Sequence, residues 1–164
     1  MPSRPYDSGM FRKVLGHYPT GVAVVSTMKD GLPRGMIVGS FTSVSLDPPL
    51  VGFLPNKTSQ TWWAIDQTRT FCVNILASDQ VDLLKRFSGP RETRFFNQDY
   101  QLTPGGSPAL EGCVGWIDCS LQVAHPAGDH MIVIGLVENF EIYRCVEPMV
   151  FVRGRYRAFE ALCD

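Results

Sequence analysis

No stretch of the 164 residues approaches the roughly 20 consecutive apolar positions that a membrane helix requires. The opening MPSRPYDSG also lacks the apolar core of a secretory leader. The chain is therefore expected in the cytoplasm and away from membranes. Surplus charge is missing too: 15 Lys and Arg stand against 16 Asp and Glu, which leaves no basic field for a polyanion and sets nucleic acid aside. The five cysteines, Cys72, Cys113, Cys119, Cys145 and Cys163, form no C-x-x-C pair, so neither a disulfide framework nor a zinc site is expected. Most are expected to be small buried hydrophobes. His17, His125 and His130 are too scattered for a three-histidine metal site. There is no G-x-G-x-x-G, no Walker lysine loop, no H-E-x-x-H and no G-x-S-x-G, so four large enzyme classes lack their marks.

What the chain does have is concentrated in Gly35–Ser59, GMIVGSFTSVSLDPPLVGFLPNKTS. Hydroxyl residues alternate with apolar ones up to a turn at Asp47-Pro48-Pro49, where two prolines remove backbone donors and force the chain out of one strand. The next strand, Leu50–Leu54, delivers Asn56-Lys57-Thr58-Ser59. Donor-rich strand ends followed by a lysine suit an anionic group such as phosphate. The same residues also fit a plain strand edge with Lys57 in a solvated turn.

The length suits one domain over residues 1–164 with a substantial core. Apolar spacing predicts a helix over Asp7–Tyr18, with Asp7 or Ser8 as its cap and His17 in its last turn, where a ring cation complements the dipole. Gly21–Met28 reads as a strand, returning through Lys29-Asp30-Gly31 into a second strand over about Pro33–Val44. A short helix capped by Thr58 or Ser59 should present Trp62 and Ile65 to the core and add N-terminal amides beside Lys57. Thr70–Leu76 is a buried strand whose Asn74 must bond either backbone or ligand. Ser78–Phe87 fits a helix with Asp79 in its first turn and Lys85 and Arg86 in its last.

The irregular Ser88–Gly112, with Phe95, Phe96 and Tyr100, reads as a lid or dimer arm. Long strands follow over Cys113–His125, Met131–Tyr143 and Met149–Phe159, with a turn at Pro126–Asp129 that sets His130 at a strand entrance. So many strands and so few helices make the fold mainly β, and a closed antiparallel barrel is the expected way to avoid bare edges.

Several strings together resemble a known family: Thr20-Gly21-Val22, S-F-T-S-V-S-L-D-P-P-L over Ser40–Leu50, Lys57-Thr58-Ser59, F-C-V-N-I-L over Phe71–Leu76, Gly128-Asp129-His130 and Gly154-Arg155-Tyr156. In register from about Phe11 to Phe159, the chain is similar to the flavin reductase family. These are small NAD(P)H:flavin oxidoreductases that supply reduced flavin to two-component monooxygenases. The resemblance implies a split β-barrel homodimer that binds FMN or FAD without covalent attachment, takes NADH or NADPH as co-substrate and passes reduced flavin to an oxygenase.

Carried over residue by residue, it implies ring and ribityl contacts from Ile37, Val38, Ser40, Phe41, Thr42, Ser43 and Asn74. Pro55 and Asn56 would lie beside them, and Lys57, Ser59 and Thr61 would meet the phosphate, with Arg86, Phe87 and Ser88 closing on it. His130 and the segment Arg153, Gly154, Arg155 and Tyr156 would face the nicotinamide nucleotide. Gly39 and Pro55 depart from the family pattern against the flavin and leave FMN or FAD open. Two other readings remain: a split-barrel protein that retains FMN as a prosthetic group, and a non-catalytic flavin-binding protein.

Overall fold

The computed structural model describes residues 7–158. The chain begins with α1 (Ser8–Leu15), β1 (Thr20–Gly21), β2 (Ala23–Lys29), β3 (Leu32–Val38), β4 (Thr42–Leu46) and β5 (Pro49–Phe53). It continues with α2 (Gln60–Thr68), β6 (Thr70–Ile75), α3 (Val81–Ser88), β7 (Tyr100–Leu102) and β8 (Pro108–Leu110). Two long strands, β9 (Gly115–Ala127) and β10 (His130–Ile142), precede β11 (Met149–Val152) and β12 (Arg155–Ala158).

Seven strands make one antiparallel sheet in the order β3-β2-β6-β9-β10-β5-β4. Its two outermost strands, β3 and β4, are consecutive in the chain and joined only by residues 39–41. Four Cα steps reach at most about 14 Å, so the sheet must curl until its two edges approach at that end. They do not pair. The expected closed barrel is thus corrected to one split along a seam, with Ser40 Oγ accepting a bond from Leu54 N (2.9 Å) beside it.

The uninterrupted strand expected over Pro33–Val44 breaks at this seam, because Gly39, Ser40 and Phe41 carry the chain from one edge to the other. The hairpin turn before it forms as expected: Asp30 (φ 52°) and Gly31 (φ 72°) both adopt the left-handed region that a two-residue turn requires.

β2 reads as a continuous apolar run because both of its faces are covered. Ala23 and Val25 join the core inside the curled sheet, where α2 contributes Trp62 and Ile65 and where Phe53 meets Phe71 edge-on (centroids 5.2 Å apart). Val22 and Val24 face outward against Leu83, Leu84 and Phe87 of α3. Burying side chains of this size contributes about 1.5–3 kcal/mol each.

Other departures are local. α1 stops at Leu15, with Asp7 Oδ1 accepting from Gly9 N and Met10 N as its cap, and His17 lies beyond it with Nδ1 2.8 Å from Lys13 O. α3 starts at Val81, so Asp79 precedes the helix and pairs with Arg144 instead of the dipole. The irregular segment carries a 3₁₀ turn over Arg91–Thr93 and the β7–β8 hairpin. The last expected strand is two, reversed at Arg153 (φ 51°) and Gly154 (φ 73°), and Phe159 lies outside the described residues. Cys72, Cys113 and Cys119 are buried, Cys145 is exposed, and Cys163 lies outside the described residues. Burial pushes the Cys72 and Cys119 thiols well up and Cys113 to about 11.

Candidate functional site

Two motifs far apart in sequence meet at the seam. Met131 N donates to Pro55 O (2.9 Å), Lys57 N to Asp129 O (3.0 Å), and Asn56 bridges His130, so Asn56–Ser59 is zipped to Gly128-Asp129-His130. Asn56 Oδ1 accepts from Thr58 N (2.9 Å) and Thr58 Oγ1 (2.7 Å), a side-chain turn that aims the chain into α2. Ser59 Oγ then caps the helix by accepting from Trp62 N (3.3 Å). The first amides of α2 belong to no intrahelical bond and carry the positive end of its dipole.

A cleft of about 680 Å³ opens between this helix start and the end of β3. One wall is apolar: Ile37, Val38, Leu54 and Pro55. Ser59, Thr61, His130, Arg91 and Arg94 supply most of the polar lining, and among the described residues no carboxylate lines it. Gly35 O ties three elements together beneath, accepting from Thr61 Oγ1 (3.1 Å) and Arg94 Nη1 (2.8 Å). No side chain fits at residue 35: a Cβ there would stand 2.8 Å from the Phe87 ring and 3.0 Å from Phe95. Desolvation, and then repulsion from Arg91, pull the Arg94 guanidinium below its ordinary pKa, and among the described residues its buried Nε has no hydrogen-bond partner.

His130 is oriented by its neighbour. Its Nδ1 lies 2.7 Å from Asp129 Oδ1, and an ionised carboxylate only accepts, so the proton sits on Nδ1 and Nε2 is left for the cleft. The hydrogen bond from His130 holds the Asp129 carboxyl below its usual range.

Of the predicted residues, Ile37, Val38, Ser40, Pro55, Asn56, Ser59, Thr61 and His130 line this one cleft. Lys57 does not. Its Nζ donates to Gly128 O (2.6 Å), which commits the ammonium to the turn that carries His130. Asn74 is also away from the cleft, fully buried, with Nδ2 donating to Val24 O, Ser26 Oγ and Pro108 O, and Oδ1 accepting from Leu110 N. It is the backbone-bonded alternative that the strand takes. Phe41 packs against the inner core, while Thr42 and Ser43 stand exposed on β4, outside the cleft walls.

Arg86, Phe87 and Ser88 lie elsewhere, because α3 points Phe87 into the outer core, Ser88 bonds Leu84 O and Arg86 bonds Phe96 O and Gln98. Arg153 and Gly154 sit against the end of α1, where Arg153 N donates to Gly16 O (2.6 Å). Arg155 lines a separate hollow of about 710 Å³ with Lys85. Tyr156 borders that hollow and also a groove of about 650 Å³ that shares Ile37–Ser40 and Leu54 with the cleft.

The arginines are the cleft-lining residues that sequence reasoning missed. The available signal was the spacing of Arg91 and Arg94 after Pro90, three residues apart and therefore on one face of any helical turn.

Residues 15–160 match the family model described as a flavin reductase like domain. A flavin reductase of Pseudomonas putida is 48% identical over 157 residues, which is 95% of this chain and 92% of the relative. The reductase subunit HsaB of a flavin-dependent monooxygenase from Rhodococcus jostii is 42% identical over 154 residues, 94% of this chain and 79% of the relative. Among solved structures, the NADH:FAD oxidoreductase SgcE6 of Streptomyces globisporus, in complex with NAD and FAD fragments, superposes with a TM-score of 0.91 at 34% identity, covering 98% of each chain.

Proposed function

This chain belongs to the flavin reductase like domain family, and we infer from that membership and from its cleft that it is an NAD(P)H:flavin oxidoreductase delivering reduced flavin to a partner oxygenase. The observation that carries the reading is one cleft with a flat apolar wall at the end of β3 and a cationic end at α2, the two halves of a flavin phosphate. Its volume lies within the range of small-molecule sites. The orphaned Arg94 Nε and the lack of carboxylates fit an anionic tail.

The nicotinamide and flavin supply the hydride chemistry when bound, so the site needs no general base of its own. Ile37, Val38, Leu54 and Pro55 exclude water from one face of the ring and leave the other open for stacking. The first α2 amides, that of Thr61 among them, and the Ser59 hydroxyl hold the phosphate, with Arg94 beside them, while the Thr61 hydroxyl stays bonded to Gly35 O. His130 Nε2, unprotonated when the ring is neutral, accepts from the nicotinamide carboxamide and orients it. Tyr156 borders the adjoining groove for the rest of that nucleotide.

The working unit of this reading is a homodimer in the cytoplasm. Its support is apolar surface: α1 buries none of its residues, and Leu46 (90% exposed), Phe140 and Ile142 (75% each) line exposed faces. Among the described residues no helix is long and apolar enough to cross a membrane.

An anaerobic visible spectrum tests the function. With catalytic amounts of protein, excess FMN or FAD should bleach on addition of NADH or NADPH, and the faster nucleotide names the donor. Flavin that binds but stays oxidised with both would refute the reductase.

A further inference from the structure

We propose that Arg91 and Arg94 form a two-point clamp for consecutive phosphates, Arg94 meeting the phosphate next to the ribityl chain and Arg91 the second, so that this chain selects FAD over FMN. The inference rests on the flavin reading above.

Both arginines sit on the 3₁₀ turn that follows Pro90, three residues apart, and both line the cleft. Side chains at that spacing eclipse each other at about 6 Å of rise, so two like charges project from one face. Among the described residues neither makes a salt bridge. The two guanidinium groups repel each other, and Glu92 between them offsets that repulsion only in part. Desolvation, and then that repulsion, pull Arg94 below its ordinary pKa, and an anion in the cleft offsets the repulsion.

Depth separates their roles. Arg94 is half-buried, and its Nη1 is fixed to Gly35 O in the floor formed by β3. Its Nε is buried and has no hydrogen-bond partner among the described residues. Arg91 is exposed at the rim. A monophosphate engaged by the helix start and Arg94 ends before the rim, whereas a pyrophosphate continues to it. Lys57, the other cation nearby, is committed to Gly128 O.

NADH also carries a pyrophosphate, so the experiment separates the two dinucleotides. Dissociation constants for riboflavin, FMN, FAD and NADH are measured by titration calorimetry on the full chain and on Arg91→Ala, Arg91→Lys and Arg94→Ala. Arg91→Ala should weaken FAD about tenfold, roughly one charge-assisted hydrogen bond, and FMN less than about twofold. Arg91→Lys should recover most of the loss, and Arg94→Ala should weaken FMN and FAD alike while sparing riboflavin. The proposal is overturned if Arg91→Ala leaves FAD binding unchanged, weakens FMN equally, or acts on NADH instead. Absence of riboflavin binding by the unmodified protein would overturn the flavin reading itself.

Discussion

Replacing Asn74 with Ala separates two roles that the sequence left open. The amide is fully buried between β2 and the β7–β8 hairpin. It donates to Val24 O (3.1 Å), Ser26 Oγ (3.0 Å) and Pro108 O (3.3 Å), and accepts from Leu110 N (2.7 Å). Truncation leaves the Leu110 N–H without that acceptor at a position with no exposure. An orphaned buried donor costs roughly 1–3 kcal/mol, and the lost bonds and the small cavity add to it, so a total of about 3 kcal/mol is expected. For a chain of this size, each kcal/mol lowers the melting temperature by about 2–4 °C. Thermal unfolding followed by circular dichroism should therefore show a fall of about 6–12 °C. Riboflavin affinity, measured well below the transition, should change less than about twofold. A melting temperature within about 2 °C of the parent, together with a large loss of riboflavin binding, would refute the structural role and return Asn74 to the ligand.

His130→Ala should raise the KM for the nicotinamide nucleotide about tenfold, roughly the loss of one hydrogen bond, and affect flavin less; equal effects in steady-state kinetics would remove His130 from the nicotinamide. Lys57→Ala should behave as a weaker version of that change, because its ammonium holds the turn before His130, and it should leave the ratio of FMN to riboflavin affinity intact. A selective loss of FMN would restore Lys57 to the phosphate. The hydrogen bond from Arg144 lowers the Asp79 carboxyl below its ordinary 3.8. The pair's contribution is therefore complete above about pH 4 and is lost as pH falls through the lower folded value. Urea midpoints of the parent and Asp79→Asn should differ modestly at neutral pH, the pair being exposed, and converge under acid; a gap unchanged by acid would show that the carboxylate does not stabilise the fold.

The elements legible in the sequence were those whose signals are local. The α2 cap, the Asp30-Gly31 hairpin and the turn between the two long strands each depend on residues within one or two turns of each other. The errors came where one position had to serve distant partners. Pro33–Val44 holds strand-forming residues at Ile37-Val38 and again at Phe41-Thr42, yet the two sheet edges draw it apart at Gly39-Ser40-Phe41. Asp79 has the spacing of a first-turn acid, but Arg144, 65 residues away, captures it. Lys57 is adjacent in sequence to the start of α2, while its side chain turns back to Gly128. Arg91 and Arg94 stayed hidden for the opposite reason: their segment has no apolar period, so only the fold brings them over the cleft.

The seam itself explains why the site lies where it does. A closed barrel would pair β3 with β4 and consume the backbone groups along both edges. Leaving them apart keeps those donors and acceptors available, and the short connection through Ser40 keeps the edges too close for another strand to enter at that end. The seam thereby opens into the cleft, whose apolar wall is made by Ile37, Val38, Leu54 and Pro55. A planar ring fits there with one face against that wall and the other left open for stacking. The turn bearing His130 and the helix start at Ser59 flank the cleft because the chain leaves β5 beside the β9–β10 turn, with which it is hydrogen-bonded. The unpaired edges of the sheet and the specificity of the site are thus one feature: a substitution that let β3 and β4 pair would strengthen the barrel and close the site.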